Sequence, residues 1–149
     1  MVGIIDYGAG NLKSIKKALD YLGFSSLILA NKKDFRNISR IILPGVGAFG
    51  QAVKQLQKKQ ILLPVKEWIK EEKPFLGICL GLQLLFTSSE ESPEYGGLSF
   101  FQGKCLKFNE RKVPQIGWNK VLKKKNSPLL FDLPNESYFY FVHSYYVQP

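Results

Sequence analysis

The sequence predicts an α/β fold, a mainly parallel sheet with helices on both faces, followed by a β-rich antiparallel extension. Two observations carry this. Up to Phe86, short apolar runs alternate with amphipathic stretches of helical spacing, the pattern of a parallel sheet covered on both sides. After Thr87 the helical spacing stops, and three strand-like segments follow with no helix between them. At 149 residues the chain is one domain, and 45% hydrophobic content with eleven Phe and seven Tyr gives it a real core.

Each element has its own signal. Val2 to Tyr7 is a first strand, and Gly8-Ala9-Gly10-Asn11 turns the chain into a helix. That helix places Leu12, Ile15, Leu19 and Leu22 on one face, lysines on the other, and ends at Gly23. Ser26 to Ala30 is a second strand and Arg40 to Leu43 a third, halted by Pro44-Gly45-Val46-Gly47. Ala48 to Lys58 carries Phe49, Val53 and Leu56 at helical spacing. A shorter helix runs from Pro64, suited to a first helical position, through Val65, Trp68 and Ile69. Pro74 to Ile78 is a fourth strand, and Leu82, Leu85 and Phe86 continue it as helix. Ser88 to Gly97 is polar and turn-rich, and Phe100 to Phe108, Ile116 to Leu122 and Tyr138 to Val147 are the strands of the extension.

Composition narrows the function. The net charge of +9 is spread over helix faces, and its one compact run, Lys123-Lys124-Lys125, sits in a turn beside Asn126-Ser127-Pro128. No nucleic-acid module motif is present, and aromatic and basic residues do not interleave, so nucleic acid is not an expected partner. No apolar run spans a bilayer, and Met1 to Asp6 lacks the features of a signal peptide. Cys79 and Cys105 have neither disulfide-framework nor metal-ligand spacing. The expectation is a cytoplasmic protein without a metal.

Chemistry concentrates in three places. Gly77-Ile78-Cys79-Leu80-Gly81 has a cysteine between two glycines where a strand becomes a helix. Such an elbow lifts its central side chain over a helix N-terminus, whose positive end favours a thiolate. The amide of the following residue, Leu80, is then free to stabilise an oxyanion. The alternative is a structural cysteine buried in an apolar strand. Pro44-Gly45-Val46-Gly47 ends a strand on the same carboxyl edge and can turn its amides toward a ligand, or it is an ordinary connecting loop. Gly8-Ala9-Gly10-Asn11 lacks the third glycine of a dinucleotide fingerprint and is read as a tight turn rather than a phosphate cradle. His143, the only histidine, is either the base that a cysteine nucleophile needs or a residue held in its strand by local bonds.

Five segments, in order, carry a resemblance. They are Ile5-Asp6-Tyr7-Gly8-Ala9-Gly10-Asn11-Leu12, Pro44-Gly45-Val46-Gly47-Ala48-Phe49, Gly77-Ile78-Cys79-Leu80-Gly81-Leu82-Gln83, Val113-Pro114-Gln115-Ile116-Gly117-Trp118-Asn119 and Phe141-Val142-His143-Ser144-Tyr145-Tyr146. Together they resemble the class I glutamine amidotransferases, most closely the glutaminase subunits of imidazole glycerol phosphate synthase. Gln115 stands where that family commonly has histidine.

The resemblance implies a flavodoxin-like fold and a single type 1 amidotransferase domain over residues 1–149. By position, Cys79 would attack the carboxamide of glutamine, releasing ammonia and leaving a glutamyl thioester, with Gly47 and Leu80 offering amides to the oxyanion. Gly45, Gln83, His143, Ser144 and Tyr145 would line the substrate site. The ammonia would pass to a cyclase subunit, a (β/α)8 barrel, in a heterodimer serving histidine biosynthesis, with no cofactor. The family's base and acid lie in a later His-Pro-Glu motif that does not occur before Pro149, and His143 matches the pocket strand instead. The triad base and acid are therefore expected to be missing, the domain incomplete at its C-terminus, and some apolar surface uncovered. Two other readings stand beside the enzyme: a non-catalytic remnant that at most binds the cyclase, and another thiol enzyme of similar fold using His143.

Overall fold

The computed structural model describes residues 1–109 and 112–149. They form two compact units, Met1–Lys107 with Tyr146–Pro149, and Phe108–Tyr145.

The first unit is built on β1 (Val2–Ile5), β2 (Ser26–Leu29), β3 (Arg40–Leu43) and β4 (Phe75–Gly77), all parallel, in the order β2-β1-β3-β4. Every residue of β1 is buried, so the sheet is covered on both faces at its centre, as a Val/Ile-rich parallel strand requires. Three helices do the covering: α1 (Leu12–Tyr21), α2 (Phe49–Lys58) and α3 (Leu62–Lys70). Phe49, Val53 and Leu56 of α2 and Val65, Trp68 and Ile69 of α3 are all buried, as their spacing predicts. The ends of β1 and α2 are tied together, because Lys59 Nζ donates to the Asp6 carbonyl at 2.9 Å and pairs with Asp6 Oδ2 at 3.2 Å.

The details depart from expectation in ways that have local causes. Pro64 is the third residue of α3 and not the first. The first turn of a helix has no intrahelical acceptor for its amides, so a proline there forfeits no bond. Leu22 lies beyond α1 and is largely exposed, while Leu12, Ile15 and Leu19 are only half-buried. The helix after the fourth strand, α4 (Leu80–Gln83), is a single turn. Leu84, Leu85 and Phe86 are still buried, but their carbonyls accept from Leu98, from Phe100 and Phe101, and from Ser99. With those acceptors occupied from outside, the helix cannot propagate.

β5 (Ser88–Ser89), β6 (Lys104–Lys107) and β9 (Tyr145–Gln148) form a second sheet in the order β5-β6-β9. β5 and β6 run parallel, against the antiparallel expectation, because the long stretch between them is enough for a crossover. The strand expected over Phe100 to Phe108 is confined to β6, and the one over Tyr138 to Val147 is interrupted at Ser144.

The second unit holds an antiparallel pair, β7 (Gln115–Val121) and β8 (Ser137–His143), in register from Gln115↔His143 to Val121↔Ser137. On one face Ile116, Trp118 and Lys120 pair with Val142, Tyr140 and Tyr138, and all six are exposed. The Trp118 and Tyr140 rings meet edge to face at 5.6 Å. This is an uncovered apolar surface of the kind the sequence leads one to expect.

One arrangement matters for the site. Ala48 at the start of α2 offers no side chain to cap the helix. The caps come from the turn after β5: Glu91 Oε2 accepts the Phe49 amide at 2.7 Å, and Ser92 Oγ accepts the Gly50 amide at 3.1 Å. Substituting Ser92→Ala is expected to lower stability by about 1 kcal/mol, read as a shift in the urea midpoint at constant slope.

Candidate active site

Glycines let the chain fold against itself at the carboxyl edge of the parallel sheet. A Cβ on Gly81 would lie 1.9 Å from the Leu43 carbonyl oxygen, and one on Gly77 2.7 Å from the Gly81 carbonyl oxygen. A Cβ on Gly45 would lie 2.6 Å from Leu80 Cβ and 2.7 Å from the Gly81 nitrogen. Without side chains at these points, the end of β3 packs directly on the first turn of α4.

Cys79 sits at the corner. Its φ of +56° and ψ of −114° put a non-glycine residue in a strained region that costs about 1–3 kcal/mol and is held by its surroundings. The residue is exposed, so the alternative of a buried structural cysteine fails. Because α4 has only four residues, it carries little of a helix macrodipole. What the elbow supplies is a strained, accessible position beside free amides. Among the described residues, the backbone N–H groups of Leu80 and Gly47 have no hydrogen-bond partner. Gly47 has φ +91° and open space where a side chain would stand, and Val46 is 57% exposed. The stretch Pro44 to Gly47 thus packs against the sulfur's helix at Gly45 and presents the Gly47 amide to open space.

Gln83 ends α4, and its carbonyl accepts from the Phe86 amide at 3.1 Å and from Cys105 Sγ at 3.6 Å. Cys105 is fully buried, and that burial pushes its thiol up to about 11. The two cysteines therefore differ in kind: one accessible at a bend, the other a weak donor to the end of α4.

The glycine turn after β1 behaves as a turn. Asp6 Oδ1 accepts the Gly8 amide at 2.8 Å, Asn11 Oδ1 accepts the Ser14 amide at 3.2 Å, and Gly8 and Gly10 have φ of +96° and +105°. Tyr7, just before it, was not singled out by the sequence. It is 1% exposed, its hydroxyl has no hydrogen-bond partner, and a Cβ on Gly45 would lie 2.9 Å from that oxygen. Burial pushes its phenol up to about 12. The available signal was a hydroxyl-bearing residue ending an otherwise apolar buried strand. Glu91 and Ser92 also escaped notice, since capping across 42 residues leaves no local pattern.

His143, Ser144 and Tyr145 belong to the second unit. His143 ends β8, with Nδ1 2.8 Å from the Tyr145 carbonyl, which can only accept, so Nδ1 carries the proton. The rings of Phe108 and Phe141 flank it at 5.1 and 5.6 Å. The histidine is held by local bonds. The Ser144 carbonyl accepts the Phe108 amide at 3.1 Å.

The profile of the family "Glutamine amidotransferase class-I" matches residues 3–149. The chain belongs to the class I glutamine amidotransferases. Among similar proteins, imidazole glycerol phosphate synthase subunit HisH of Caldanaerobacter subterraneus subsp. tengcongensis is 47% identical over 148 residues, covering 99% of this chain and 73% of that protein. The subunit of the same name from Chlorobaculum tepidum is 46% identical over 151 residues, covering all of this chain and 75% of that protein. A crystal structure of a glutamine amidotransferase superimposes with a TM-score of 0.75 at 18% identity, over 99% of this chain and 74% of the other. That likeness is one of fold.

Among the described residues of this amidotransferase, no group of three or more His, Cys, Asp or Glu is placed to hold a metal ion. No helix among them is long and apolar enough to cross a membrane. Two acid groups are raised by burial and contribute to its alkaline behaviour. Cys105 and Tyr7 have ordinary values of 9.0 and 10.0 and folded values of about 11 and about 12. The folded state therefore keeps protons that the unfolded state loses. Their contribution is complete below pH 9 and disappears as pH rises through 11 to 12. Between pH 9 and pH 11, urea unfolding is expected to show a loss on the order of 2–3 kcal/mol, and Cys105→Ala should flatten the lower part of that decline.

Proposed function

We propose that the chain is the glutaminase subunit of an imidazole glycerol phosphate synthase, with Cys79 as its nucleophile. The Cys79 sulfur attacks the side-chain carbonyl carbon of glutamine, a C–S bond forms, and the carbonyl electrons move onto oxygen. The Gly47 and Leu80 amides donate to that oxyanion. Collapse breaks the C–N bond, the proton given up by the Cys79 thiol ends on the departing nitrogen, which leaves as ammonia, and a glutamyl thioester remains for water to hydrolyse. Gly45 lies against the elbow, and Gln83, His143, Ser144 and Tyr145 bind the rest of the substrate. The ammonia is handed to a cyclase subunit with a (β/α)8 barrel, in a heterodimer. The reading is supported above all by an accessible sulfur at a strained bend with unpaired Leu80 and Gly47 amides beside it. The similar HisH subunits support the choice of synthase.

A second reading, a polypeptide that binds the cyclase without turning glutamine over, draws on one observation. The single histidine of these 149 residues is already engaged with the Tyr145 carbonyl. A thiol without a base loses orders of magnitude in rate.

Two experiments test these readings. The diazoketone analogue of glutamine should add once to the chain, at Cys79, by mass spectrometry. Ammonia release from glutamine by these 149 residues with a cyclase should exceed that of Cys79→Ala on the first reading and match it on the second. Absence of adduct would remove the glutamine-site assignment, and steady Cys79-dependent ammonia release would remove the second reading. In addition, Gln83→Ala should raise the analogue concentration giving half-maximal labelling by about tenfold while changing the maximal rate less. An unchanged half-maximal concentration would assign Gln83 to helix packing.

A further inference from the structure

A depression on the first unit lies between the end of α3 and the segment that follows Gly97, with a volume of about 350 Å³. That is within the size range of small-molecule sites. The end of α3 leads directly into the start of β4, so the depression lies off the carboxyl edge where Cys79 stands. Its floor is apolar, formed by Ile69 and Leu98, both buried. Phe100 forms one wall and is half exposed. Its ring is held by neighbours: it meets Phe101 edge to face at 4.7 Å, and Phe101 packs on the buried Phe86 at 5.6 Å. The Phe100 and Phe101 amides both donate to the Leu85 carbonyl, at 2.9 and 3.0 Å, which fixes the backbone as well. A braced aromatic face loses little freedom when a ring packs on it. The other wall is charged. Lys66 and Lys70 stand one turn apart on α3, and Glu72 follows the end of that helix. Among the described residues, none of these three side chains has an ion-pair or hydrogen-bond partner.

Three unengaged charges around an apolar floor define a ligand by its chemistry. Two lysines at (i, i+4) spacing have Cβ atoms about 5–6 Å apart, close enough for both ammonium groups to reach one anion. A phosphate monoester, with nearly two charges and three terminal oxygens, satisfies both, whereas a carboxylate's single charge leaves one cation in excess. Glu72 can only accept, so the same ligand carries a donor such as a hydroxyl or a ring amine. The Phe100 face and the aliphatic floor call for a flat ring. We propose that this depression is a binding site for a nucleoside monophosphate. Lys66 and Lys70 hold its phosphate, its base packs on Phe100, and a sugar hydroxyl or base amine donates to Glu72. The net charge of +9 favours the approach of such an anion. The assignment does not rest on the glutaminase reading, because none of the residues given a part in that chemistry lines the depression.

Equilibrium dialysis of the full chain against adenosine monophosphate tests this, with adenosine and inorganic phosphate as the two halves of the ligand. One molecule should bind per chain with a Kd below about 1 mM, and each half alone should bind at least about tenfold more weakly. Lys66→Ala and Lys70→Ala should each raise Kd about fivefold, and Phe100→Ala about tenfold, the worth of one base stacked on an aromatic ring. Both lysines are exposed and alanine favours a helix, so these two variants keep the fold and carry the test should Phe100→Ala not fold. The double variant Lys124→Ala with Lys125→Ala, in the basic run outside the depression, should leave Kd unchanged. Absence of saturation up to about 10 mM overturns the proposal. Equal affinity for inorganic phosphate overturns it too, since an anion site without a place for the base would remain. Equal affinity for adenosine does the same by removing the part given to the lysines. A Kd indifferent to Lys66→Ala and Lys70→Ala would put the nucleotide elsewhere on the chain. An equal loss in the Lys124 and Lys125 double variant would trace binding to net charge alone and overturn the site.

Discussion

The approach of the Gly81 backbone to the Leu43 carbonyl, nearer than any side chain at position 81 would allow, determines where the first turn of α4 lies on the sheet. The position of that turn decides where Cys79 stands, which way the Leu80 amide points, and how closely Gly45 packs against the bend. The strain at Cys79 persists because this contact and its neighbours at Gly77 and Gly45 leave the backbone no other course. Parallel strands with every residue of β1 buried provide the rigid platform, so a small geometric demand is met without local slack.

The same element gives two cysteines opposite characters. Cys79 is exposed at a left-handed corner, while Cys105 is enclosed on β6 and points its Sγ at the Gln83 carbonyl. Burial keeps the second thiol protonated, which suits a donor that steadies the end of α4. Environment and not residue type separates reagent from support.

Much of this was legible in the amino-acid order. The glycines on either side of Cys79 announce a tight bend, and Phe49, Val53 and Leu56 announce the buried face of α2, because both are local patterns. What stayed hidden depends on partners distant in sequence. The early end of α4 comes from amides near Leu98 that take the carbonyls of Leu84 to Phe86. The parallel pairing of β5 with β6 depends on the path of the chain between them. Tyr7 belongs to the same class: its place just after β1 is plain from the apolar run, but the surroundings of its hydroxyl can be recognised only when its neighbours are known. The assignment of His143 to a strand-held role likewise needed the Tyr145 carbonyl in view.

The borrowed caps on α2 have a wider consequence. Glu91 and Ser92 grip the helix immediately after the Pro44–Gly47 loop, while β3 ends at Leu43 immediately before it. The loop is thus held at both ends. On the reading proposed for Cys79, a lesion in the polar turn from Ser88 to Gly97, without touching the sulfur, would surface in an enzyme assay as damage to the reacting centre.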